Sequence, residues 1–241
     1  MTFIGLFFCF AFAAAPATKN IPNSFGDQNA PRQIAISVLD ADQAKVLFKN
    51  FADDKTIPFR YPMKGCEDRA TAMALIAEKK QIIVGKVFVQ GLLKVRFTHP
   101  LYPTASWRRH VAPVIYVKPR FGPAKLMVMD PALFDHPVTI AELETRLLTD
   151  IGQEKPEIDE TYYGSMYQSH LRKAEEFKNS WDPQYLKDVR ATLDEYLDYQ
   201  DDSSSAPKGR EWKEELRVPS SETPPSTPSL RPFNVNRYPI L

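Results

Sequence analysis

Between residues 81 and 130 the chain carries four strand-like runs with no helical period between them: "QIIVGKVFV" (81–89), "LLKVRF" (92–97), "HVAPVIYV" (110–117) and "KLMVMD" (125–130). The pieces that separate them, "QG", "THPLYPTAS" and "KPRFGPA", are rich in turn formers. Parallel strands need a crossover, usually a helix, and these gaps hold none. The four runs are therefore expected to pair antiparallel. Helical patterns lie outside them. "CEDRATAMALIAEKK", from 66 to about 80, is alanine-rich, with acids at its start and lysines at its end. Thr139 and Glu142 form a capping box that opens "IAELETRLL". The core thus reads helix, several antiparallel strands, helix, which is an α+β layout and not alternating βαβ.

Ahead of this core, "QIAISVL" (33–39) reads as a strand. Asp40 and Gln43 form a second capping box, which opens a short helix with apolar spacing at Ala44, Val46, Leu47 and Phe51. Residues 18–32 are polar and without period, and read as a linker. After about residue 155, "YYGSMYQSHLRKAEEFKNS" and "PQYLKDVRATLDEYLDYQ" read as two amphipathic helices split at Asp182-Pro183, a helical extension over 155–200. Residues 201–241 hold many prolines and serines and read as mostly disordered.

The first residues form an apolar run from Phe3 to Ala15, with small-residue cleavage candidates at Ala11-Phe12-Ala13 and Ala15-Pro16-Ala17. The run is short for a bilayer span and reads as a secretory signal over 1–17, although no Lys or Arg precedes it; a short hydrophobic anchor is the alternative. A secreted or periplasmic location follows. With 31 basic and 30 acidic residues, the formal net charge is +1. That balance gives no electrostatic reason to expect nucleic acid or an anionic membrane as a partner. The composition leaves oligomeric state open.

With the signal removed, one cysteine remains, Cys66, so no intramolecular disulfide and no multi-cysteine metal site can form. An odd cysteine in an exported protein points to intermolecular pairing or to a reactive thiol. Cys66 falls at the start of the alanine-rich helix, just after Pro62 and Gly65. A helix N-terminus favours the thiolate, the form that acts as nucleophile. The competing reading is a small buried hydrophobe.

A cysteine nucleophile needs a base, and the base needs an orienting group. Of the four histidines, His99 and His136 lie in turns and His170 on a polar-aromatic helical pattern. His110 follows "SWRR" and opens an apolar strand, where its ring can project toward a cleft. Asp130 ends "KLMVMD" and is fixed by Pro131, which suits a buried carboxylate that orients an imidazole. Each residue alone has an ordinary structural explanation. In order, on a helix start, a strand and the next strand, they make a workable Cys-His-Asp set.

The stretches "FRYPMKGCEDRATAM", "FVQGLLKV", "SWRRHVAPVIYV" and "MDPALFDHPVT" resemble the bacterial protein-glutaminase family, secreted protein-glutamine deamidases of the transglutaminase-like superfamily. The resemblance covers about residues 35 to 145. It implies a transglutaminase/papain-like core over 33–152, with Cys66 as nucleophile, His110 as general base and acid, and Asp130 as the orienting acid. Trp107 matches as well and is expected to wall the cleft as a substrate-binding residue. Arg69 matches but reads as structural. No cofactor and no metal are implied. The implied partners are proteins and peptides bearing glutamine, with no stable membrane association once the signal is gone. The family's long N-terminal pro-region has no counterpart here, where only about twenty residues separate the signal from the core. The acceptor stays open: with water the enzyme is a deamidase, with lysine amines a transglutaminase, and attack on backbone amides would make a cysteine protease. An exported binding module is the non-enzymatic alternative.

Overall fold

The computed structural model describes residues 15–24, 32–99, 101–169 and 180–200. The expected signal peptide lies outside these residues except for 15–17, and His170 and the Pro/Ser-rich tail lie wholly outside them. Within them the chain is α+β, built on one mixed sheet of mostly antiparallel strands.

Strand β1 (Thr18–Pro22) pairs antiparallel with β2 (Gln33–Asp40). The expected linker therefore starts with a strand. Its sequence hides this because one residue, Ile21, is buried and the rest of "TKNIP" faces solvent. β2 runs directly into helix α1 (Ala41–Ala52), and the expected capping box is present: Asp40 accepts from the Asp42 and Gln43 amides, and the Gln43 side chain accepts from the Asp40 amide. Such a cap is worth about 1 kcal/mol. Helix α2 (Cys66–Lys79) follows. Glu67, Arg69, Ala70, Thr71, Met73, Ala74 and Ala77 are all buried, so α2 is enclosed on several sides. Its alanines allow that close approach.

The two runs expected at 81–89 and 92–97 are one strand, β3 (Gly85–Arg96). "QG" resembles a two-residue hairpin turn but is a bulge: the β3 registers shift at Gln90, and Gly91 has φ +148. A Cβ on Gly91 would lie 2.2 Å from the Glu157 carbonyl oxygen, so only glycine fits between the strands there. Strand β4 (Thr104–Lys118) begins earlier than its apolar part suggests, because the polar stretch "TASWRR" pairs with the second half of β3. β5 (Lys125–Val128) pairs with β4, and β6 (Val138–Thr139) with β5. Helix α3 (Ile140–Leu147) opens with the Thr139/Glu142 capping box.

The expected helical extension over 155–200 starts as a strand. β7 (Glu157–Ser165) lies antiparallel against β3 and is an integral member of the sheet. "TYYGS" carries β-branched and aromatic residues suited to a pleated surface, and the neighbouring β3 edge decides the outcome. Helix α4 (Pro183–Tyr199) does form, with Asp182 as its cap and Pro183 in the first turn. The strand order is β1-β2-β4-β3-β7, with β2 and β4 parallel and the remaining pairs antiparallel. Beyond β1, Ser24 donates its amide to the Tyr163 carbonyl on β7 at 2.9 Å, so the two outer strands approach one another. The core takes Ile36, Leu47, Phe51, Met73, Val87, Leu93, Ile115, Leu143 and Leu147 almost completely out of water. Each such side chain contributes about 1.5–3 kcal/mol of burial.

Candidate active site

Three elements bring the expected residues together. Gly65 precedes α2 with φ +76, a left-handed turn that glycine adopts without strain, and offers no side-chain cap. Cys66 is therefore the first helical residue, where the helix leaves backbone N–H groups unpaired. Its side chain is half-buried and packs against Ala70, Phe88, Val111 and Tyr162. Phe88, Val111 and Tyr162 form one row across β4, β3 and β7, and the Phe88 and Tyr162 rings stack at 5.1 Å.

His110 lies next to Val111 on β4 and is 2% exposed. Its Nε2 meets the Asp130 carboxylate at 2.7 Å. Asp130, 3% exposed, lies two residues past the end of β5. Its second oxygen accepts the Ala132 amide at 3.0 Å. The Pro131 turn thus locks the carboxylate in place. The other ring nitrogen, Nδ1, is buried and makes no hydrogen bond of good geometry. The Cys66 thiol is nevertheless near enough for its hydrogen bonding and charge to act on the ring. Such contacts are often misaligned before substrate enters.

Burial is the largest single influence on the imidazole and works against its charge. The hydrogen bond and charge of Asp130, joined by Cys66, outweigh it and raise the His110 pKa from 6.5 to about 9. At neutral pH, His110 is therefore a charged donor held between the Asp130 carboxylate and the Cys66 sulfur. Trp107 stacks on its ring at 5.2 Å and 15° between planes and leans on Phe97 at 6.0 Å. The indole covers one face of the imidazole.

Arg69 does the structural work expected of it. It donates to the Tyr61 carbonyl at 2.9 Å and to the Lys64 carbonyl at 2.7 Å, tying the "FRYPMKG" loop to the helix that carries Cys66. The other described histidines stand in turns. His99 Nδ1 accepts the Leu101 and Tyr102 amides, and His136 sits exposed against Asp135.

Sequence reasoning missed Tyr162, whose ring packs beside Cys66 while its hydroxyl accepts from Gln90 at 2.8 Å. "TYYGS" was expected to be helical, and only strand pairing carries Tyr162 to the site. Charged groups on α2 and the adjacent β3 were missed too. Asp68 is raised from 3.8 to about 6, first by burial and then by the neighbouring Glu67 charge, with Arg69 and Lys86 opposing. Lys86, fully buried, donates to the Thr71 hydroxyl and the Gln168 carbonyl, each at 2.9 Å. Among the described residues no group of His, Cys, Asp and Glu is arranged to hold a metal ion, and no helix is long and apolar enough to cross a membrane.

Known proteins share this fold. Residues 44–147 match the model of a family described as glutaminase. Comparison with curated protein sequences finds no match. Among solved structures, a protein-glutaminase crystal structure is similar at 22% identity and a TM-score of 0.58, over 72% of this chain and 96% of that one. The NMR structure of protein-glutaminase from Chryseobacterium proteolyticum is similar at 24% identity and a TM-score of 0.57, over 70% and 94%. A pro-protein-glutaminase is similar at 20% identity and a TM-score of 0.58, over 73% of this chain. The chain spans 63% of the length of that pro-form, and 58% of a mutant pro-protein-glutaminase that it also matches. All of the residues that build the Cys66, His110 and Asp130 cluster fall within 44–147 except Tyr162, and that segment matches the glutaminase family model on a fold similar to that of protein-glutaminase.

Proposed function

We propose that this protein is a secreted protein-glutamine deamidase, which hydrolyses the side-chain amide of glutamine residues in proteins or peptides to glutamate and ammonia. The observation that carries the reading is the buried His110–Asp130 pair at 2.7 Å with the Cys66 thiol beside its ring, in the segment that matches the glutaminase family.

The chemistry runs in two halves. Cys66 attacks as the thiolate, and its sulfur bonds to the glutamine carboxamide carbon. The carbonyl electrons move onto oxygen, where the backbone N–H of Cys66 at the start of α2 offers a donor. The carbonyl then re-forms, the C–N bond breaks, and His110 gives its proton to the departing nitrogen, which leaves as ammonia. A γ-glutamyl thioester remains. Water, giving a proton to the now neutral His110, attacks that carbonyl carbon. The C–S bond breaks, glutamate leaves and the thiolate–imidazolium pair is restored. Asp130 keeps the ring oriented and stabilises its charge throughout. Trp107 shields the ring and walls the cleft.

The reading is tested by ammonia release from casein or a glutamine-bearing peptide. Wild type is expected to release ammonia. Cys66→Ser and His110→Ala are expected to abolish release, and Asp130→Ala to reduce it severely. Free glutamine is expected to be a poor substrate. Cross-linking or peptide-bond cleavage without Gln-to-Glu conversion would instead identify a transglutaminase or a protease.

A further inference from the structure

Helix α4 lies outside the segment that matches the glutaminase family, yet it reaches the first turn of α2. The contact is tightest at Gly65. A Cβ there would lie 2.7 and 2.8 Å from two ring carbons of Tyr196. The ring therefore already packs directly against the glycine backbone, one residue before the thiol. Tyr61, 1% exposed in the loop that leads to Gly65, sits among three other tyrosines. Its ring centroid is 4.9 Å from Tyr196, 5.7 Å from Tyr199 and 5.4 Å from Tyr102. The Tyr102 hydroxyl donates to the Tyr199 carbonyl at 3.3 Å. The loop is thus held from α2 by Arg69 and from α4 by tyrosine rings.

A second attachment lies nearer the start of α4. The Tyr185 hydroxyl meets the Thr71 hydroxyl at 2.9 Å, and Thr71 also accepts from the buried Lys86 ammonium. Positions 185 and 196 are three turns apart, about 16 Å along a helix. Two attachments at that spacing fix both the tilt of α4 and its rotation against α2. Between them Val189 and Leu193 are buried, which supplies the apolar seam. An ordinary helix packing needs only that seam. A ring pressed on the one glycine that starts the helix bearing Cys66 has a further consequence, because the left-handed turn at Gly65 has no side-chain cap of its own.

We propose that α4 is a clamp on the helix that bears Cys66, and that Tyr196 is a positioning residue whose ring, pressed on Gly65, holds the thiol in line with His110. This rests on the reading of Cys66 as nucleophile. The ring acts by packing, so its hydroxyl is dispensable. Misplacing a nucleophile by about 1 Å can cost up to a hundredfold in rate. A loosened clamp changes turnover more than substrate affinity, because Tyr196 packs on the Gly65 turn, Tyr61 and Tyr199 and acts through the thiol.

The test uses the full-length protein and two readouts, the kcat and KM of ammonia release and the rate of Cys66 alkylation by iodoacetamide across pH. In Tyr196→Ala, kcat is expected to fall about tenfold or more with KM within about twofold, and alkylation at neutral pH to slow by a similar factor. Tyr196→Phe is expected to keep both within about twofold. Circular dichroism and a thermal melt establish that each variant is folded. If Tyr196→Ala does not fold, Tyr196→Leu is used, with the same expectations. The proposal is overturned if the folded variant alkylates and turns over at wild-type rates, if only KM changes, or if Tyr196→Phe is as impaired as Tyr196→Ala. Alkylation needs no substrate. A protein that releases no ammonia but shows the expected alkylation pattern would refute the deamidase reading and leave the clamp standing.

Discussion

In the proposed mechanism His110 is the residue on which the chemistry turns, and its environment sets a pH window. Its pKa is raised from 6.5 to about 9 because Asp130 and Cys66 together outweigh the cost of burying its charge. The folded protein therefore holds a proton on His110 that the unfolded chain releases between those values. The stability this contributes is full below 6.5 and is lost as pH rises through about 9. In the proposed mechanism activity follows the same proton. The kcat/KM of wild type is expected to fall on an alkaline limb near pH 9, where the imidazolium is lost. In Asp130→Asn, burial acts with less opposition, so the limb is expected to move to lower pH and the maximum rate to drop. A limb unmoved in that variant would show that Asp130 does not govern the ring. Trp107→Ala removes the indole stacked 5.2 Å from the imidazole and opens that face to water. Its kcat/KM is expected to fall about tenfold with the fold intact, checked by the same assay and a thermal melt.

At the scale of elements, α2 holds a charge that the fold tolerates poorly. The pKa of Asp68 is raised from 3.8 to about 6, mainly by burial. The native state thus binds a proton more tightly than the unfolded chain, and the stability linked to that proton is present below pH 3.8 and lost as pH rises through about 6. Asp68→Asn is therefore expected to stabilise the protein at pH 8 by about 1–3 kcal/mol. Its loss of a favourable charge at the helix start, about 0.5 kcal/mol, does not reverse the sign. Thermal melts at pH 8 and below pH 4 check this; the gain should vanish at the acid end. Gly91→Ala is expected to destabilise by about 2 kcal/mol or more, since its Cβ would meet the Glu157 carbonyl at 2.2 Å. Urea unfolding measures that cost.

The same elements show which parts of the fold can be read from the chain. Helices α1 and α3 announce themselves because a capping box is local, complete within four residues. α2 is legible through its alanines and end charges. The strands that escaped notice depend on distant partners. β1 buries Ile21 alone and exists because β2 lies beside it. "QG" has the chemistry of a turn, and becomes a bulge because β3 is held on both sides by β4 and β7. β7 has the tyrosines of an amphipathic helix and the β-branched neighbours of a strand, and pairing decides. Cys66 and Asp130 could be picked out because each stands at or just past the end of an element, and His110 only through its place in the ordered motif set, since it lies inside β4 and does not open the strand as expected. Tyr162 and Tyr196 could not, because nothing local connects them to Cys66.

At the scale of the whole molecule, the segment 44–147 that matches the family model leaves out strands of the sheet it is part of. It lacks β2, whose parallel pairing with β4 closes one side of the sheet, and β7, which covers the edge of β3. It also lacks α4, with the tyrosines that press on the Cys66 loop. A chain ended at about residue 150 is expected to aggregate or remain unfolded, because it would leave β3 as a long apolar edge. Expression of that truncation, followed by circular dichroism, checks this; a soluble, cooperatively folding product would contradict it.

In the proposed mechanism, Cys66 converts protein-bound glutamine to glutamate through a thioester opened by water. Its most direct test is mass spectrometry of a glutamine-bearing peptide incubated with the full-length protein in heavy-oxygen water. Conversion of the glutamine to glutamate is expected with one heavy oxygen incorporated, matched by ammonia release and absent in Cys66→Ser. An unchanged peptide, a cleaved backbone, or conversion that persists in Cys66→Ser would contradict it.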